Sequence, residues 1–423
     1  MIRLLLVFSA LPLLAESSYT FQVAKTSEVV ADLELSGGDW SVEGNEAALA
    51  DVTIDGASVQ NVMTYAGARH VYPIFLGVLP AGEHRLTVKQ NTQYGAANAK
   101  LEVHGAKFRE IARDSSDYPV LAYTPVLFAR ANTVGKFTDV PMIIYVERLI
   151  ENGEPLLSYT VIFSNEDGGT STRALMARWG RTTDVEYVYK AFLNPDGTLK
   201  RATMQGRGRQ EVEFNGRREG AHPLMIPVTD NNMVSGEATS AIRYQIAPVE
   251  IDLTHHSREL IIDQNPLAYR VMSQELLREG KLRPFGAVDG NKISDPRNYL
   301  YIEAKIAAQQ SGVAAMVRLK GETQWRTSNL GREDYAMDRS GWVRTTIELP
   351  PGTPAAAVDE IGFLCVVVRT KETIPTAGAC RVDELSKAFK LDSHYVPENS
   401  IAHHEGASEI PSGQMVSWKL AAH

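Results

Sequence analysis

Two stretches concentrate the side chains that do chemistry. Residues 162–190 read IFSNEDGGTSTRALMARWGRTTDVEYVYK and set Asn165, Glu166, Asp167, Trp179, Arg181, Asp184 and Glu186 among apolar runs. Residues 220–236 read GAHPLMIPVTDNNMVSG, with His222 ahead of a short apolar strand and Asn231 and Asn232 after it. Paired carboxyls are the minimum equipment for glycoside hydrolysis, one as acid and the other as base or nucleophile. Glu166, Asp167, Asp184 and Glu186, with His222, are therefore the candidate catalytic groups. Asp167, Asp184 and Glu186 are also oxygen ligands of the kind that Ca²⁺ or Mg²⁺ takes. Asn165, Trp179, Arg181, Asn231 and Asn232 are candidate ligand contacts.

Spacing turns these residues into a site. TTDVEYVYKAFL, residues 182–193, has the period-two pattern of a strand. Asp184, Glu186 and Val188 fall on one face, and Val185, Tyr187 and Tyr189 on the other. The apolar and aromatic face is the expected core side, so the acids point away from that core. Gly168-Gly169 permits a tight turn that carries Asp167 toward them. Three carboxylates so placed repel one another and need a positive partner. Arg181, Arg178 and a divalent cation are the candidates.

The elements that must position this site are strands. Short segments of four to eight residues alternate with Gly, Pro, Asn and Asp turns, and 3.6-period segments are scarce. The expected fold is mainly β, with three sandwich or jelly-roll-like units. The boundaries are 16–107, then 108–285 with the acidic stretch, a Gly/Asp/Asn/Pro linker at 286–298, a third unit at 299–392, and a loosely attached polar tail at 393–423. The best helix candidate covers Ala268–Glu279. Asn194-Pro195-Asp196-Gly197 reads as a hairpin turn. The two flanking units look like carbohydrate-binding sandwich modules.

Composition narrows the partners. The chain has 423 residues and a net charge of -8, with no Lys/Arg block, which argues against nucleic acid. MIRLLLVFSALPLLA, residues 1–15, has the charged start, apolar run and small final residue of a secretory signal. No later stretch approaches the ~18 apolar residues of a membrane span, so no transmembrane anchor is expected and the mature chain is read as secreted or periplasmic. Two cysteines, Cys365 and Cys380, flank a turn near Lys371–Thr373. Hairpin strands there would set them opposite each other as a disulfide, or they are two buried thiols. No nucleophile elbow, zincin helix or phosphate loop is present. GRGRQ at 206–210 lacks the following helix that a phosphate loop needs.

The order YTVIFS, then Gly180-Arg181-Thr182-Thr183-Asp184-Val185-Glu186, NPDG, TMQGRGRQE and His222-Pro223 with its apolar strand and TDNN resembles a known pattern. It resembles the vacuolar protein sorting-associated protein 62 family and, more distantly, the secreted necrosis-inducing cytolysins. The likeness covers residues ~150–235. It implies a β-sandwich in which acids and a histidine hold a divalent cation. Asp184 and Glu186 carry over. Arg181 stands where the cytolysins' first motif histidine would be, Thr183 at the second and Val185 at the tryptophan, and Asn231 or Asn232 replaces a later histidine. Arg181 would then supply the charge of the missing cation. The expected function is binding or acting on extracellular or cell-surface glycans or glycolipids. The alternatives are a carbohydrate-active hydrolase or lyase, and a structural envelope protein without turnover.

Overall fold

The computed structural model describes residues 16–420 except 167, 288–289 and 368–377. The signal segment, Asp167 and the tip of the Cys365–Cys380 connection lie outside the described residues. Strand accounts for 48% of the chain and helix for 12%, so the fold is mainly β. Six sheets are present among the described residues. They form three pairs, because each of three apolar cores draws residues from two sheets. The first core joins the sheet containing Leu49–Ile54 and Gly82–Asn91 to the sheet built on Ser27–Ser36. The last joins two four-stranded antiparallel sheets built on Tyr299–Gln309 and Gly312–Leu319.

The central pair holds the acidic stretch. Its larger sheet runs in the order Gln210–Glu213, Leu199–Gly206, Val185–Leu193, Glu154–Phe163, Pro141–Glu151, Val249–Glu250. Its core continues into both neighbours, through Trp40 and Leu49 on one side and Tyr299, Tyr301 and Phe389 on the other. The segment read as a linker is not free of this core: Ile293 is buried in it. Helix Leu267–Arg278 matches the helix expected there and buries Tyr269, Val271, Met272 and Leu276. No helix of the described residues is long and apolar enough to cross a membrane.

The last residues correct an expectation. His404–Pro411 pairs with Ala379–Phe389, and Met415–Lys419 pairs with Val358–Val366, so the polar tail is built into both sheets of the third pair. Both are edge strands, with exposed or half-buried side chains apart from Ile410. An edge strand needs little apolar periodicity, which is why the segment reads as polar. The cysteines also differ from the hairpin reading. Cys365 and Cys380 form a disulfide with Cα atoms 5.5 Å apart, but their strands belong to different sheets. The bond therefore staples the third sandwich across its core rather than across a hairpin.

Candidate functional site

Residues Thr172–Trp179 form a helix, although LMARWG reads as a merely apolar run. Ser171 caps its start, its Oγ accepting from the Ala174 amide, and Gly180 ends it in the left-handed region at φ 64°. A side chain at Gly180 would sit 2.7 Å from Cγ of Arg344, so the close approach also requires glycine. Two carbonyls of the last turn accept from the third sandwich. Thr346 Oγ1 donates to Met176 O at 2.7 Å and Thr345 Oγ1 to Ala177 O at 2.5 Å. These bonds fix Trp179 at the seam between the central and third units. Arg344 braces the same seam from below, its guanidinium donating to Asp263 at 2.7 Å and Glu303 at 2.9 Å.

Strand Val185–Leu193 does not keep the alternation read from the sequence. The pairing with Glu154–Phe163 steps from Tyr189 to Tyr187, so Val188 is a bulge, and Val188 and Tyr189 are both buried. Glu186 and the half-buried Tyr187, consecutive residues, both line one cavity of about 240 Å³. Glu166, Asp184, Gln205, Trp179, Arg181, Arg209, Arg258 and Arg339 line it too. Asp184, expected to point away from the core, is only 2% exposed. The loop 229–232 covers it, with Asn232 at φ 55° donating to Asp184 Oδ2 at 3.0 Å. Glu186 accepts from Gln205 Nε2 at 2.8 Å. Glu166 Oε1, Gln205 Oε1 and Asn232 Oδ1 are buried oxygens with no hydrogen-bond partner among the described residues.

Burial decides the protonation of the acids. It pushes Glu166 up to about 7, the Arg181 charge opposing and the Glu186 charge adding to the shift. Burial, then the charges of Glu186 and Glu166, push Asp184 well above the usual carboxylate range, against Arg181 and the Asn232 amide. The structure thus brings Asp184, Glu186 and Glu166 together. Asp167, expected as the third acid, lies outside the described residues. Arg181 is close enough to act on both acids electrostatically, but its ion pair is with Glu259, at 3.0 Å and buried on both sides. It also donates to Thr183 O.

The other candidates separate. His222 is not in this cavity: it is stacked on Phe75, with Nδ1 2.9 Å from Thr124 O and Nε2 3.3 Å from Glu28. It joins the first and central units instead of serving the acids. Asn165 accepts from the Glu166 amide and so shapes the turn, while Asn231 accepts from the Thr229 hydroxyl at 2.8 Å within the covering loop. Among the described residues no group of three or more His, Cys, Asp and Glu side chains is arranged to hold a metal. The amide donors on Asp184 and Glu186 occupy lone pairs that a cation would use. Among the described residues, Arg181 is the nearby positive charge that acts on both Asp184 and Glu166.

Arg209, Arg258 and Arg339 were missed. They come from the 207–209 turn, from the segment before Leu260–Gln264 and from the third unit, so no Lys/Arg block announces them. The GRGRQ motif contributes Arg209, held at φ 60° on the rim, rather than its glycines.

No family model matches the chain, and no curated protein matches it. Solved structures with partial similarity include a necrosis-inducing-like protein, NLPPya, in complex with mannosamine or with glucosamine. Each of these two has 10% identity and a TM-score of 0.24, covering 33% of this chain and 73% of that one. A GH2 beta-galacturonidase from Eisenbergiella tayi bound to galacturonate has 11% identity and a TM-score of 0.15, covering 36% of this chain and 22% of that one. A Paenibacillus sp. cycloisomaltooligosaccharide glucanotransferase complexed with cycloisomaltoheptaose has 10% identity and a TM-score of 0.18, covering 95% of this chain and 40% of that one. Similarity at this level assigns neither an activity nor a ligand to this chain.

Proposed function

We propose that this is an exported saccharide-binding β protein whose ligand, an extracellular or cell-surface glycan or glycolipid, sits in the cavity between Glu166, Asp184, Glu186 and Trp179. The observation that carries the reading is the composition of that cavity. Carboxyls, Gln205 and arginines supply the many short polar contacts that ring hydroxyls need, and the half-buried Trp179 and Tyr187 supply apolar ring faces. A volume of about 240 Å³ is below the ~300 Å³ of a typical small-molecule site, which suits one or two sugar rings rather than an enclosed chain.

One observation favours turnover as a second reading. Glu166 near 7 is poised to give or take a proton at neutral pH, with Glu186 lining the same cavity. A carbohydrate-active hydrolase or lyase would use Glu166 as the acid or base, with Asp184 and Glu186 setting its charge. The arginines, and not a divalent cation, are the compensating charge in this reading.

The test is equilibrium binding to a panel of oligosaccharides, alongside assays for new reducing ends and unsaturated products. Binding should be lost in Trp179→Ala and Glu186→Gln. If products form, Glu166→Gln should abolish them while leaving binding. Saccharide binding that survives both Trp179→Ala and Glu186→Gln would place the ligand elsewhere and overturn the assignment.

A further inference from the structure

The cavity is lined by groups of both signs, Glu166, Asp184 and Glu186 together with Arg209, Arg258 and Arg339, and a second hollow of about 120 Å³ shares Trp179, Arg258 and Arg339 with it. The arginines nearby are committed. Arg178 pairs with Asp338 at 2.8 Å, Arg181 with Glu259, and Arg344 with Asp263 and Glu303. Arg258 donates to a backbone carbonyl, Val185 O, at 2.9 Å, and has no carboxylate within ion-pair distance among the described residues. Arg209 and Arg339 have neither a hydrogen bond nor an ion pair among the described residues, and both are exposed at the rim.

Like charges held together without partners are unfavourable. Partial burial, followed by the charge of Arg258 and more weakly those of Arg209 and Arg178, pushes Arg339 below its ordinary value, with Asp338 opposing. The acids act mainly on Arg258, which the charges of Glu259, Glu186 and Asp184 favour, whereas the exposed Arg209 and Arg339 have no carboxylate within ion-pair distance among the described residues. Trp179 lines both hollows, with the Arg178 guanidinium 4.7 Å and the Arg339 guanidinium 5.8 Å from its ring centroid.

We propose that the saccharide this cleft takes is anionic. A uronate carboxylate or a sulfate ester meets Arg209, Arg258 and Arg339, while the ring lies against Trp179 and its hydroxyls reach Gln205 and Glu186. This rests on the saccharide reading above and names its substrate class. Guanidinium groups suit the shared chemistry, since they give forked, charge-assisted bonds to either anion. An overall charge of -8 would repel such a ligand from the rest of the surface, so local arginines also give selectivity of place.

The experiment is calorimetric titration of the full mature chain with four ligand sets: uronate oligosaccharides, their methyl esters, sulfated oligosaccharides, and neutral oligosaccharides of matching linkage. The uronate or the sulfated set should bind, and its ester or neutral counterpart should bind more weakly. Arg339→Gln and Arg209→Gln break no hydrogen bond or ion pair among the described residues, so each should remain folded. Each should weaken the anionic ligand by roughly 10- to 100-fold, the range for loss of one charge-assisted hydrogen bond. Each should also reduce the dependence of affinity on salt. Uronate binding without sulfate binding, or the reverse, identifies which anion the arginines accept. Neutral sugars binding as tightly as their anionic counterparts, or unchanged affinity in both variants, overturns the inference and leaves the saccharide site standing. Failure of every ligand set to bind overturns both.

Discussion

Replacing Glu275 by glutamine should change how stability depends on pH. Glu275 lies in helix Leu267–Arg278 and is wholly buried. Burial, reinforced by the Glu279 charge and opposed by the Ser164 and Thr138 hydroxyls, raises its carboxyl from 4.5 to about 8. The folded state therefore holds a proton that the unfolded state has lost between those two values. Below 4.5 both states are protonated and the stability is fully present. It falls as pH rises toward 8, at ~1.4 kcal/mol per unit, and then levels off. From pH 5 to 8 the loss is about 4 kcal/mol. Urea denaturation of the wild type and Glu275→Gln at pH 5, 6, 7 and 8 reads this directly. Other titrating groups act alike in both proteins, so the difference between the two curves isolates Glu275. The variant should gain about 4 kcal/mol relative to wild type across that range. Parallel curves would refute the buried-proton reasoning.

Three further outcomes follow from the same geometry. Arg181→Ala leaves Glu259 buried without its partner and should destabilise the fold by ~3–5 kcal/mol in denaturant titration, a change under ~1 kcal/mol being incompatible with the pair as described. Reduction of Cys365–Cys380, which closes a separation of 15 residues, should lower stability by about 3 kcal/mol, read as a lower melting temperature in dithiothreitol that Cys365→Ala/Cys380→Ala reproduces without reductant. Any turnover that uses Glu166 as an acid should fall as pH rises through about 7, and Arg181→Ala should move that limb to higher pH because Arg181 holds Glu166 down; a limb that does not move would separate the two groups.

What was legible in the sequence was local. Period-two strands and turn residues announce a mainly β chain, Asn194-Pro195-Asp196-Gly197 marks a real strand connection, and Asp184 and Glu186, read as one site, do line one cavity. The bulge at Val188 was not legible, since one extra residue in a strand leaves no compositional mark yet changes which face each later side chain takes. Helix Thr172–Trp179 did carry a signal, a serine cap and a terminal glycine around eight residues, but it is too short for a periodicity to stand out. The arginines of the cavity were out of reach, because Arg209, Arg258 and Arg339 meet only when the third sandwich docks on the central one. His222, read as catalytic, and Arg181, read as a ligand contact and counter-charge, show the converse: each already has a buried partner, in Glu28 and Glu259.

The central claim is that saccharide binds beside Trp179, and fluorescence of that indole tests it most directly. Titration of the wild type with an acidic oligosaccharide should give a saturable change in emission. The change should vanish in Trp179→Phe, whose other four tryptophans are untouched, and calorimetry on Glu186→Gln should show the affinity gone. A saturable change that persists in Trp179→Phe, with full affinity in Glu186→Gln, would contradict the account.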